Sequence, residues 1–325
     1  MDGRAVFTGA SPRTGMYESF FLRAVSPDEP VGAWLRYTVH KNPGEQAWGS
    51  VWTTVFDGRS GGPFMHKITT HELGVPADGW LTIGTDAEIG PGEARGTCGD
   101  AHWSVEFETS EPDLYHLAPR WLYRAPLPRT KLTSPAPSAT FSGRLTLAGR
   151  ETLNLDGWRG MVGHNWGSEH AERWIWLHGV GFEEDASAWI DVALGRLRVG
   201  GRLTPWIANG AISSGGRRVH LGGLLTRGVT VAETPAGCEV RIPGQGGLVV
   251  HGRAQVPAGS AAGWRYGDPG GGEHDVLNCS VARIELEIDV PGSQRTTLRS
   301  SHGGVYELGL REHDHGLSIA PFSDD

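Results

Sequence analysis

The sequence predicts an all-β fold of antiparallel strands, on three observations. Its 325 residues include 49 glycines and 20 prolines, which suit many turns between short strands better than long helices. Apolar and polar residues alternate over several short windows, the pattern of sheets with one solvated face. No stretch carries the period of a long helix. The length allows a sizeable core, and two barrel-like units fit it better than one.

Residues 16–25 and 31–40 read as two strands joined by the turn-rich segment 26–30. In the second, Ala33, Leu35, Tyr37 and Val39 alternate against Trp34, Arg36, Thr38 and His40. Residues 48–57 continue the pattern, and shorter candidates follow at 64–72 and 80–84. Residues 101–109 alternate cleanly, with Trp103, Val105 and Phe107 predicted to face inward. Residues 124–140 carry four prolines and read as a long loop or crossing segment. Strand pattern returns at 140–147. The domain junction is placed near residue 168, giving an N-terminal barrel over 1–168 and a C-terminal barrel over 169–325. The second half repeats the style, with candidates from 173–179 and 187–194 through 295–300 and 304–309. Within it, residues 283–290 alternate without a fault.

Composition excludes several partners. The net charge is -8 with both signs spread along the chain, so there is no basic stripe for nucleic acid and no polybasic membrane anchor. No apolar run reaches the length of about eighteen residues that a membrane span needs, and the N-terminus has no apolar signal core. A soluble, cytoplasmic protein is the expectation. Cys98, Cys238 and Cys279 are too widely spaced for a disulfide framework or a zinc motif and read as buried thiols.

The stretch from Gly157 to Leu194 concentrates the chemistry. It holds five of the thirteen tryptophans, with His164, Asn165, His178 and Asp191 among them. Alternation over 173–179 puts Trp174, Trp176 and His178 on one face. Alternation over 188–194 puts Trp189, Asp191 and Ala193 on one face, and the polar segment 181–187 suits a hairpin connection. Pairing the two runs brings rings, an imidazole and a carboxylate to one surface, the composition of a small-molecule site. Asp191 interrupts an apolar strand. Either it is an ordinary solvent-facing aspartate, or it is a carboxylic acid in an apolar pocket, where desolvation keeps its proton near neutral pH. In the second case it can protonate an alkene, and tryptophan faces can stabilise the cation by about 2 kcal/mol when desolvated. Most tryptophans, Trp34 and Trp52 among them, read as plain core. His164 and Trp166 share a face of an extended segment, with Asn165 on the other. His164 is either a structural corner or the partner of the acid.

Other chemistries find no support. There is no nucleophile elbow, no phosphate-binding loop and no paired-cysteine motif, and the glycine-rich segment 267–275 has no dinucleotide fingerprint. His313 and His315, flanking Asp314, superficially resemble metal ligands, as His66 and His71 do more loosely. A solvated tail is the preferred reading, so no metal is assigned.

The segments Gly160–Gly167 (G-x-x-G-H-N-W-G), Arg173–His178 (R-W-I-W-L-H) and Trp189–Asp191 (W-I-D) resemble the carotenoid 1,2-hydratase and tocopherol cyclase superfamily. Tyr17-Glu18-Ser19, Phe21–Ala24 and Trp34–Tyr37 add to the resemblance. It implies two tandem lipocalin-like β-barrels with the ligand site at their junction, and cofactor-free chemistry on isoprenoid or polyene substrates. It also implies Asp191 as proton donor, with His164 and Trp166 beside it. The family's Tyr two residues before that Asp is Trp189 here, which removes a hydroxyl and weighs against water delivery. Trp189, Trp174, Trp176, His178, Asn165 and Glu18 are the expected substrate wall. The function expected is a cofactor-independent cyclase or hydratase acting on a hydrophobic small molecule. The alternatives are a lipocalin-like pericyclase and a non-catalytic carrier.

Overall fold

The protein is described here from a computed structural model, over residues 4–11, 13–59 and 62–322. The strands of the first half are β1 (Met16–Val25), β2 (Val31–Lys41), β3 (Trp48–Asp57), β4 (Phe64–Thr70), β5 (Leu73–Gly74) and β6 (Leu81–Ile83). They continue with β7 (Ala87–Gly90), β8 (Glu93–Cys98), β9 (Ala101–Glu108), β10 (Leu114–Tyr115), β11 (Thr130–Leu147), β12 (Leu153–Asn154) and β13 (Trp158–Gly167). The second half holds β14 (Arg173–Gly179), β15 (Trp189–Arg196), β16 (Arg198–Val199), β17 (Arg202–Leu203), β18 (Ile207–Ser214) and β19 (Arg217–Gly222). After these come β20 (Thr230–Thr234), β21 (Gly237–Pro243), β22 (Val249–Gln255), β23 (Ala262–Gly267), β24 (Glu273–Asp289) and β25 (Thr296–Leu310).

The first half forms a nearly closed antiparallel barrel in the order β4-β3-β2-β1-β13-β11-β9-β8-β7-β6-β5. The second runs β19-β18-β15-β14-β25-β24-β22-β21-β20. The architecture is that of tandem lipocalin-like barrels. The last strand of the first sheet ends at Gly167, and the first strand of the second begins at Arg173. Among the described residues no helix is long and apolar enough to cross a membrane.

Alternation does what the sequence predicts on β9, where Trp103, Val105 and Phe107 are buried and the residues between them are exposed. The segment 124–140 differs from its expectation, because it is strand from Thr130 onward. Pro135 and Pro137 fall where the pairing of β11 with β13 slips, between Thr133 and Ala136 and between Ala136 and Ala139. A bulge leaves a residue outside the ladder, so the missing proline N–H costs no hydrogen bond there. The candidates 295–300 and 304–309 merge into β25. All three cysteines are free and buried.

Phe20, Leu22 and Ala24 of β1 belong to the first barrel's core, and Ile175, Leu177, Ile190 and Val192 to the second's. The alternate residues of these strands form the junction. Phe21 meets Trp176 edge-on at 5.2 Å, and Arg23 donates to the backbone oxygens of Ser280 and Gly304. The junction is therefore lined from both halves by side chains that the period of two turns away from each core.

Candidate active site

The β14–β15 ladder sets His178 opposite Asp191 and Trp176 opposite Ala193, with all four turned toward the first barrel. The carboxylate of Asp191 is completely buried. Trp176 donates its indole N–H to Oδ1 at 3.0 Å. Ser134 of β11 donates its hydroxyl to Oδ2 at 2.5 Å. His116, just past β10, brings Nε2 to 3.0 Å from Ser134 Oγ and 3.3 Å from Asp191 Oδ2. Its Nδ1 lies 3.1 Å from the backbone oxygen of Asn209 on β18.

Proton accounting fixes what this cluster can hold. The Asn209 carbonyl only accepts, so His116 Nδ1 carries a proton. If Asp191 is ionised, Ser134 gives it the hydroxyl proton, and His116 Nε2 must donate as well, which makes the ring an imidazolium. Moving one proton gives the other state: Asp191 donates to Ser134, Ser134 donates to Nε2, and the ring is neutral. Burial alone raises the Asp191 carboxyl, but His116, His178 and the Ser134 hydroxyl overcome it and bring the group down to about 2. The sequence pointed to a carboxyl raised by desolvation; in the structure its direction is downward, because His116 lies 3.3 Å away. The sequence showed the desolvation but not the imidazole. Neither Arg173 nor Arg196 is its partner, since Arg173 pairs with Glu233 at 2.9 Å and Arg196 donates to Thr204 O at 3.0 Å.

His116 and Trp176 form part of the wall of a junction cavity of about 170 Å³, which Asp191 itself does not line. One water needs roughly 15 Å³ on this measure, so the space suits a small organic molecule. Phe21, Trp34 and Trp174 supply aromatic walls. The wall also carries the Glu307 carboxylate, which accepts from Trp174 Nε1 at 2.9 Å and Asn278 Nδ2 at 3.0 Å. Asn165 Oδ1, Asn209 Oδ1 and Trp34 Nε1 are buried without a hydrogen-bond partner. Arg36 is buried, donates Nε to Ser19 Oγ at 2.7 Å and lies 3.9 Å over the Tyr266 ring. Among the described residues no carboxylate forms an ion pair with it.

The other predicted residues lie elsewhere. His164 faces the first barrel's interior. It stacks on Phe20 at 3.9 Å and on Trp166 at 4.5 Å, and shares a 2.7 Å hydrogen bond with Glu18. Glu18 also accepts the backbone N–H groups of Val6 and Phe7, so this pair fastens the N-terminal segment to β1. His178 is buried and donates Nε2 to Pro137 O at 3.1 Å. Trp189 is fully buried, with the Arg218 guanidinium 5.2 Å over its ring. The structure brings Trp174, Trp176 and Asn165 to the cavity, puts Asp191 behind its wall, and leaves His164, Trp166, Glu18, His178 and Trp189 off it. His116, Ser134, Arg36 and Asn209 were not singled out as site residues from the sequence.

The fold defines a tandem lipocalin-like barrel protein with a cavity at the junction. Crystal structures of this fold include CghA with Sch210972, which covers 96% of both chains at a TM-score of 0.64 and 11% identity. Kievitone hydratase from Nectria haematococca matches over 90% of this chain and 88% of its own, at a TM-score of 0.55 and 11% identity. By sequence, the uncharacterized protein Rv0493c of Mycobacterium tuberculosis is 26% identical over 281 residues, 78% of each chain. No protein-family model matches the chain.

Proposed function

We propose that the protein is an enzyme that transfers a proton to or from a largely apolar small molecule in the junction cavity. The observation that carries this is the His116–Ser134–Asp191 relay ending at an aromatic wall. Asp191 is the buried counter-charge, Ser134 the bridge, and His116 the acid–base group at the cavity. General acid–base catalysis of this kind contributes about 10²–10⁴ in rate.

The ionised carboxylate shapes the choice of substrate. An imidazolium is too weak an acid for an isolated alkene, the reaction suggested by likeness to the carotenoid hydratases. It suits a double bond conjugated to a carbonyl, where the proton meets developing enolate charge. Hydration, its reverse, and cyclisation of such a compound are the reactions supported, and the name of the kievitone hydratase neighbour is in keeping with them. A pericyclic reaction is the second reading, favoured by the aromatic walls around a few fixed polar groups.

The test is organic extraction and native mass spectrometry of wild type, Asp191→Asn and His116→Gln, each purified from the source organism. Product with wild type and unreacted precursor with both variants supports the relay. A compound recovered unchanged from all three sinks it in favour of a carrier. Turnover falling less than about tenfold in both variants points to shape-driven chemistry.

A further inference from the structure

A second cluster lies apart from the relay. The β23–β24 connection is the glycine-rich segment that carries no phosphate-binding or dinucleotide fingerprint. It is closed by hydrogen bonds from Asp268 N to Gly272 O and from Gly271 N to Asp268 O, with Gly271 and Gly272 at positive φ. This tight loop presents Asp268 at one end and His274 at the other. The linker between the barrels adds His170, whose backbone N–H and Nδ1–H both donate to Asp268 Oδ1, at 2.8 and 2.7 Å.

The hydrogen-bond accounting of these three residues does not close. His274 is fully buried, yet neither ring nitrogen has a hydrogen-bond partner. Asp268 Oδ2 and His170 Nε2 are also buried without a hydrogen-bond partner. Four orphaned polar atoms on three adjoining side chains run against the rule that buried polar groups are satisfied. One ligand atom from each residue falls within 4.8 Å of the others, and Asp268 Oδ2 stands 3.8 Å from His274 Nδ1. Ligand atoms around a single ion bound at about 2.0–2.2 Å are about 3–4 Å apart, so small side-chain shifts close the set.

We infer that His170, Asp268 and His274 form a binding site for a divalent first-row transition metal ion. Two imidazoles and one carboxylate are the donors of zinc and related ions rather than of calcium or magnesium, whose ligands are oxygens. The neighbouring cluster shows the contrast. Asp275 accepts from His313, His315 and Arg265, and His315 Nδ1 accepts from Leu317 N, so the Asp275 oxygens and both His315 nitrogens already have hydrogen-bond partners. The site does not rest on the relay. Its ion would tie the inter-barrel linker to the second barrel, and His170 also lines the junction cavity.

The test is equilibrium dialysis of the metal-stripped full chain against Zn²⁺, with Co²⁺ absorption as a second readout. The expected result is saturable binding of about one Zn²⁺ per chain and tetrahedral Co²⁺ bands. Binding should fall at least tenfold in Asp268→Asn, in His274→Ala and in His170→Gln, and persist in His315→Ala. His170→Gln sits on the linker and keeps the test valid if His274→Ala fails to fold. A wild type without saturable binding overturns the proposal, as does binding that survives His170→Gln and Asp268→Asn or that is lost in His315→Ala.

Discussion

Ser134 and Asp191 join the two barrels through one 2.5 Å hydrogen bond between residues 57 positions apart. Ser134→Ala leaves Oδ2 with His116 alone and removes one of the groups that hold the carboxyl low. A buried hydrogen bond to a charged group contributes about 1.5–3 kcal/mol, so the urea midpoint should fall accordingly. The Asp191 carboxyl resonance, followed by carbon-13 NMR, should titrate at higher pH than in wild type. An unchanged titration would mean that Ser134 is not part of the relay.

His178 makes stability depend on pH. Burial pushes the ring down from 6.5 to about 4, so between these values the unfolded chain binds a proton that the folded chain refuses. Stability is therefore full above pH 6.5 and is lost as the pH falls toward 4, by roughly 3 kcal/mol from this group. His178→Gln should flatten this part of the curve of unfolding free energy against pH. Asp191 acts in a lower window, because its depressed carboxyl withdraws stability only as the pH drops from 3.8 toward about 2.

Arg36 predicts a preference among ligands. A buried guanidinium with no carboxylate ion-pair partner among the described residues should receive an acidic or enolic head group. Arg36→Met should weaken binding of a polyene carboxylate by about 10–100-fold and leave its methyl ester nearly unaffected, as read by tryptophan fluorescence titration. Equal losses for acid and ester would remove Arg36 from this role.

Gly210 sits where β18 crosses the relay. A Cβ there would stand 2.1 Å from the Asp191 backbone oxygen and 2.6 Å from Val192 Cα. Gly210→Ala must push β18 away from β15 and carry the Asn209 carbonyl off His116. Overpacking of this kind costs about 1–3 kcal/mol, and loss of turnover should exceed what that destabilisation explains.

The all-β class, the alternation of β9, and the shared face of Trp174, Trp176, His178 and Asp191 were legible because a period of two is a local property. What stayed hidden was non-local. Ser134 lies among prolines that argue for a loop, and only pairing with β13 shows that bulges absorb them. His116 follows a two-residue strand with no periodicity of its own. His164 and Trp166 were correctly given a common face, but β13 is buried on both sides, so no polarity marks which side meets the cavity. The direction of the Asp191 shift was hidden for the same reason. Desolvation can be read from an apolar strand, whereas a compensating imidazole 75 positions away cannot.

Because Ser134 and Asp191 come from different barrels, neither half alone holds the proposed relay. A chain in which one barrel has folded and the other has not holds a serine and a histidine with no carboxylate, or a carboxylate with no imidazole. Such a species is silent rather than sloppy. On the proposed mechanism, reactivity would be switched on only by the docking that completes the fold.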